Sequence, residues 1–202
     1  MIRSANAQQL LDLARDQGII SASDATGRGI HRGWLSRLAA AGHLERVARG
    51  RYRLTDSDVT EHNTLALMAA VVPSAVVCLL SALQFHGIGV QATLEVWIAL
   101  ERGVWRPRLD YPPLRVVYFS GPSFSSGIER HTVEGQEVRV YSVAKTVADC
   151  FKHRNRIGLD VALEALTDAW QQRRLTLAEL NELAAIDRVQ RVMQPYVEAL
   201  IQ

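Results

Sequence analysis

The chain has 202 residues, enough for one large domain or two small ones. Apolar residues make up 48% of it, and no stretch is biased enough to read as disordered or low-complexity. The formal charge is only +2, but residues 1–55 hold nine arginines against four acids, a net +5, so the remainder carries −3; a basic module that meets an anion is joined to a mildly acidic one with another task.

Taken in order, Met1-Ile2-Arg3-Ser4 leads into no apolar signal core. Ala5 to Gln17 has helical spacing through Ala7, Leu10, Leu11 and Ala14, and Gly18 ends it. Ile19-Ile20 is a short extended link. Ser21 with Asp24 is a capping-box start for a second, short helix closed by Gly27 and Gly29. A third helix is predicted over Ile30 to Ala41. Projected at 100° per residue, it puts Ile30, Trp34, Leu35, Leu38 and Ala41 on one side and Arg32, Gly33, Ser36, Arg37 and Ala40 on the other. The outer face is slim and positive. His31 projects onto the apolar side, so it is expected to be at least partly buried, and Trp34 is expected in the core. From His43 to Leu54, Leu44 and Val47 alternate on one arm and Tyr52 and Leu54 on the other, with Gly50 at the bend: a β-hairpin. Arg46, Arg49, Arg51 and Arg53 decorate it, with Arg51 and Arg53 sharing one face.

Asp56-Ser57-Asp58 reads as a linker and helix start, and Thr60 to Val72 as a helix ended by Pro73. The longest apolar run, Leu65 to Leu83, is broken by Pro73 and Ser74 and is too short to span a bilayer. A short apolar run at Ala75 to Leu79 precedes a helix from Ser81 to His86. Strands are predicted at Leu94 to Leu100, Leu114 to Phe119, Ile128 to Val133 and Gln136 to Tyr141, the last two joined as a hairpin by Glu134-Gly135; Arg106 to Pro113 is a proline-rich loop. Four helices follow: Ser142 to His153, Gly158 to Gln172, Leu177 to Ala185 behind a Thr176–Glu179 capping box, and Val189 to Ile201, which Pro195 is expected to kink. Cys78 and Cys150 are isolated in apolar stretches and fit neither a disulfide framework nor a zinc site, which points to a reducing cytoplasm.

Three helices and then a basic hairpin is the order of a winged helix-turn-helix. The fold class expected is α+β: an N-terminal winged helix-turn-helix domain over 1–56 and a C-terminal mixed α/β domain over 57–202, a small sheet with helices and a helical tail. The third helix is narrow enough for the major groove, about 12 Å wide. Arg32, Ser36 and Arg37 would read bases there, Arg28 would hold a phosphate at the positive end of that helix, and Arg46, Arg49, Arg51 and Arg53 would be wing contacts to double-stranded DNA. The dominance of arginine over lysine (only Lys145 and Lys152) suits bidentate contacts, although biased base composition of the gene would produce the same usage.

Leu38 to Leu54 (LAAAGHLERVARGRYRL) resembles the N-terminal domain of the AbiE-type antitoxins (AbiEi family), the repressor and antitoxin half of type IV toxin–antitoxin systems. Leu80 to Ile88 (LSALQFHGI) resembles that family's helix after the linker. Val140 to Asp149 (VYSVAKTVAD), with Gly158 to Leu166, resembles its strand-to-helix junction and next helix. Lys145 stands where arginine is more usual. The resemblance implies a repressor that binds inverted repeats at its own promoter, and a second domain that counters a nucleotidyltransferase-like toxin without necessarily forming a stable complex with it.

No cofactor, metal site or catalytic residue is expected. Lys145, Asp149 and His153 share one helical face and could serve acid–base or phosphate chemistry; a solvated helix surface with i,i+4 ion pairs is the plainer expectation, with Asp149 as a buried partner for a strand-end group as another. Asp160, Glu164 and Asp168 share a face without the second carboxylate cluster of a two-metal site. His86, at a helix end, is expected to be structural. Two alternatives remain: an enzyme acting on nucleic acid and targeted by its winged helix, and a protein-interaction module whose winged helix binds protein.

Overall fold

The computed structural model describes residues 4–57 and 60–200. Two compact units are present. The first comprises Met1–Ser74, Pro107–Pro112 and His131–Val138; the second comprises Ala75–Arg106, Pro113–Arg130 and Arg139–Gln202.

The first unit opens with helix α1 (Ala5–Gln17), strand β1 (Ile20–Ser21) and helices α2 (Ala22–Gly27) and α3 (Gly33–Ala40). Ser21 and Asp24 form the reciprocal capping box of α2. Helix α3 starts three residues later than its periodicity predicts. Ile30 is buried, but its N–H donates to Ala25 O at 3.0 Å, so it belongs to the turn that closes α2. Strands β2 (Leu44–Ala48) and β3 (Arg51–Leu54) form the expected hairpin, with Gly50 at φ +70°. The Ile19-Ile20 link proves to be part of a strand: Ile20 pairs with Tyr52 and Ser21 with Arg51, giving a three-stranded sheet in the order β1-β3-β2. Leu10, Ile20, Leu35, Leu38 and Leu44 build the core beneath it.

Helix α4 (Asn63–Val71) also belongs to this unit. It begins three residues after Thr60. The Thr60 N–H and hydroxyl both donate to the Glu134 carboxylate, at 2.6 and 2.8 Å, and this holds Thr60 outside the helix. Asp58, within the predicted linker, lies outside the described residues.

The remaining elements are β4 (Val76–Val77), α5 (Leu79–His86), β5 (Val96–Glu101), β6 (Leu114–Phe119), α6 (Pro122–Ser125), β7 (Ile128–Val133), β8 (Gln136–Tyr141), α7 (Val143–Lys152), α8 (Arg154–Ile157), α9 (Leu159–Gln171), α10 (Leu177–Ile186) and α11 (Gln190–Leu200). The five strands form one mixed sheet in the order β6-β5-β4-β8-β7. Strand β4 runs antiparallel to β5 and parallel to β8, while β5 and β6 run parallel. Trp97, Ala99, Val117 and Phe119 from the sheet share a core with Val147, Phe151, Ala165 and Leu166 from α7 and α9. The architecture is therefore α+β, with the small sheet and helical tail anticipated. The Thr176–Glu179 capping box forms at α10. The stripe on α9 has a structural use: Asp168 accepts from Gly89 N at 2.7 Å and Glu164 from Val90 N at 3.1 Å, anchoring the loop after α5.

The tip of the β7–β8 hairpin, Glu134 and Gly135, has positive φ at both residues, as a two-residue hairpin turn prefers. It packs against the end of α1. A Cβ on Gly18 would collide with the Glu134 carbonyl oxygen, and one on Gly135 would lie 2.5 Å from the Gln17 carbonyl carbon. Gln136 Nε2 donates to the carbonyls of Gln17 and Ile19.

Candidate nucleic-acid interface

Helix α3 turns Leu35 (1% exposed) and Leu38 (4%) into the core. Arg32, Ser36, Arg37 and Ala40 are exposed around its other side, as its amphipathic pattern requires. Trp34 is half-buried, at the margin of the core rather than within it, and the Arg37 guanidinium lies over its ring at 5.2 Å. Arg28 is exposed at the C-cap of α2, where its Nη1 donates to Asp24 O at 3.3 Å; it precedes α3 and does not occupy that helix's first turn.

The wing divides its arginines. Arg46 stands opposite Tyr52, on the sheet face that packs toward the core, with its own side chain exposed and Nε donating to Ala48 O at 3.3 Å. Arg51 and Arg53 lie on the opposite face, both half-buried. Arg53 is held by an ion pair with Glu45 directly across the ladder. Arg49 is exposed beside Gly50 at the turn. Among the described residues no side-chain hydrogen bond or ion pair engages the guanidinium of Arg32, Arg49 or Arg51. Arg53 is paired with Glu45, and Arg28 donates to Asp24 O.

His31 departs from expectation. It is exposed, because it precedes the first helical residue and the wheel does not apply to it.

The Lys145–Asp149–His153 stripe is not a solvated helix surface. Lys145 and Asp149 are each 0% exposed, and His153 is half-buried. Lys145 Nζ donates to Asp149 Oδ1 at 2.5 Å and to Asp187 Oδ2 at 3.0 Å, and it faces the rings of Tyr141 and Phe119 at 4.6 and 4.9 Å. Neither group offers an open face to a substrate. Asp149 is buried, as the other expectation had it, but its partner is Lys145 on its own helix and not a strand-end group. His86 is structural as expected: it is buried, with Nε2 2.8 Å from Tyr141 O. Among the described residues no group of three or more His, Cys, Asp or Glu side chains is arranged to hold a metal ion.

A helical triad, a three-stranded sheet and a basic hairpin after the third helix define a winged helix-turn-helix, the scaffold of many DNA-binding regulators. Residues 8–55 match the family model described as transcriptional regulator, AbiEi antitoxin. The resemblance read from Leu38 to Leu54 is borne out over that span. The chain is also similar in fold to the crystal structure of the RV2827C protein from Mycobacterium tuberculosis, with a TM-score of 0.60 at 14% identity over 90% of this chain and 72% of that one. No curated protein matches the sequence. Among the described residues no helix is long and apolar enough to cross a membrane.

Proposed function

We propose that the protein is a transcriptional repressor that binds inverted repeats in double-stranded DNA at its own promoter, and that it serves as the antitoxin of a type IV toxin–antitoxin pair in the cytoplasm. Residues 1–56 would bind DNA, and residues 57–202 would counter a nucleotidyltransferase-like toxin. Helix α3 would lie in the major groove, with Arg32, Ser36 and Arg37 toward base edges, while the wing meets the backbone. The observation that carries this reading is the outer face of α3, where two arginines and a hydroxyl stand exposed with no acidic residue on the helix. The family match over the same region supports it. No catalytic step is assigned to the chain.

The test is a titration of the full chain against the DNA upstream of its own gene, at several salt concentrations. Preference for that fragment over unrelated duplex, with affinity falling steeply as salt rises, is the expected result. Binding with no salt slope and no preference overturns it.

A further inference from the structure

The structure moves His31 onto the face of α3 that the DNA-binding reading turns toward the duplex. On a helical wheel His31 falls with Leu35 and Leu38, but its imidazole folds the other way. The Gly33 N–H donates to His31 Nδ1 at 3.1 Å. A Cβ built on Gly33 would lie 3.0 Å from Nδ1 and 3.3 Å from Cε1 of that ring. The imidazole thus lies against the place that a Cβ at position 33 would take. Around the helix that place lies between those of Ser36 and Arg37, opposite Leu35 and Leu38. The ring is a surrogate side chain on the polar face, at the end of the helix whose first residues reach base edges in helix-turn-helix complexes.

The same contact fixes the ring's chemistry. With Nδ1 accepting from Gly33, the neutral imidazole carries its proton on Nε2, which becomes a donor. The major groove offers acceptors to such a donor at purine N7, guanine O6 and thymine O4. We propose that His31 is a specificity-determining residue that donates from Nε2 to a base acceptor in the major groove, with Gly33 as the seat that holds its ring; the proposal rests on the DNA-binding reading above.

The test is selection of bound sequences from a randomised duplex library by the full chain, comparing the wild type with His31→Asn and Gly33→Ala. Asparagine keeps an oxygen able to accept from Gly33 N–H, but its amide ends short of the Nε2 position. Alanine at 33 favours the helix and pushes on the ring at its tight contact with Nδ1. Both variants are expected to lose preference at one and the same base pair of each bound site, by roughly 5- to 30-fold, with the salt slope unchanged. If His31→Asn selects the same sequences as the wild type, His31 only caps the helix and the proposal fails. A uniform loss of affinity with a shallower salt slope also overturns it, because it places Nε2 on a phosphate. A wild type that selects no sequence and shows no salt-dependent binding brings down the DNA reading itself, an outcome separate from the other two.

Discussion

Lys145 and Asp149, one turn apart on α7, form an ion pair of 2.5 Å in which neither side chain reaches solvent. Asp187, the C-cap of α10, joins it by accepting from Lys145 at 3.0 Å, while its other oxygen accepts from Lys152 at 3.0 Å and Ser123 at 2.6 Å. Burial pushes the Asp149 carboxyl well up, against the pull of Lys145. Burial also opposes ionisation of Asp187, but the Lys145 charge and hydrogen bonds from Asp149, Ser123 and Lys145 outweigh it and hold that group below the usual range. Burial thus disfavours the charged form of Asp149, whereas the surroundings of Asp187 favour its charged form. Asp149 Oδ2 is buried and has no hydrogen-bond partner among the described residues.

That contrast predicts unequal responses to amide substitution. Asp149→Asn removes a charge that burial disfavours and keeps an acceptor for Lys145, so it is expected to cost no more than about 1 kcal/mol. Asp187→Asn strips two lysines of their anion and is expected to cost about 3–5 kcal/mol. Urea denaturation of the two variants compares them directly. Equal losses would show that both carboxyls are ionised.

His153 predicts the acid limb of stability. Burial, then the charges of Lys152 and Arg156, bring its pKa from the ordinary 6.5 down to about 4, and its Nε2 is buried without a partner among the described residues. Between those two values the unfolded chain binds more protons, so stability is expected to rise with pH across the window and to be lost as pH falls from about 6.5 toward 4. His153→Gln is expected to flatten that part of the profile, measured as unfolding free energy from pH 4 to 8. Asp187, with its lowered value, loses its contribution only below the ordinary carboxyl range. Asp149, with its raised value, acts in the opposite sense, contributing fully at low pH and losing that contribution as pH rises through its folded-state value. Neither reproduces a His153-dependent slope.

The contrast between α2 and α7 shows what a sequence carries. The Ser21–Asp24 and Thr176–Glu179 boxes were legible because each is closed by atoms three residues apart, and the strands at 114–119, 128–133 and 136–141 because alternation and turn residues bound them. On α3 the amphipathic face was readable, but its start was not, since Ile30 satisfies helical spacing while serving a turn. The Lys145 stripe reads alike whether it is solvated or buried; the difference is made by Asp187, 42 residues away from Lys145. Of the nominated DNA contacts, exposure at Arg32, Ser36 and Arg37 followed from periodicity, whereas the capture of Arg53 by Glu45 depended on the register of the ladder. Strand β4, two residues long, showed only as part of the apolar run from Ala75 to Leu79, with no alternation to mark it as a strand.

The contact between Gly18 and the Glu134-Gly135 tip predicts that this seam is intolerant of any Cβ. Gly18 and Gly135 have φ of +70° and +75°, and each faces backbone atoms that have little room to yield. Left-handed geometry alone costs an alanine about 1–2 kcal/mol, and the collision adds to it. Gly135→Ala is expected to destabilise by more than about 2 kcal/mol and to raise amide exchange at the end of α1 and in β1. Gly50→Ala, at φ +70° but in open space, is expected to show only the conformational part. Equal costs at the two sites would mean that the seam is not closed in solution.

The wing supplies the last prediction, which separates Arg49 from Arg53. Both belong to the basic hairpin whose arginines the sequence offers as wing contacts. A phosphate contact made by an arginine releases counterions in proportion to the charge it brings, so its removal should lower the salt slope of binding by about 1. Arg49 is exposed at the turn, with no side-chain partner among the described residues, and Arg49→Ala is expected to show that full change with an even loss across sequences. Arg53 is paired with Glu45 and only 17% exposed along its side chain, so its charge is already compensated. Arg53→Ala is expected to leave the slope nearly unchanged, and Glu45→Gln to steepen it by freeing the guanidinium. Binding isotherms between 50 and 200 mM salt, the range over which phosphate contacts dominate affinity, give both slopes. If Arg53→Ala lowers the slope as much as Arg49→Ala, the Glu45 pair opens on DNA and the wing engages through the face of β3 as well as through its turn.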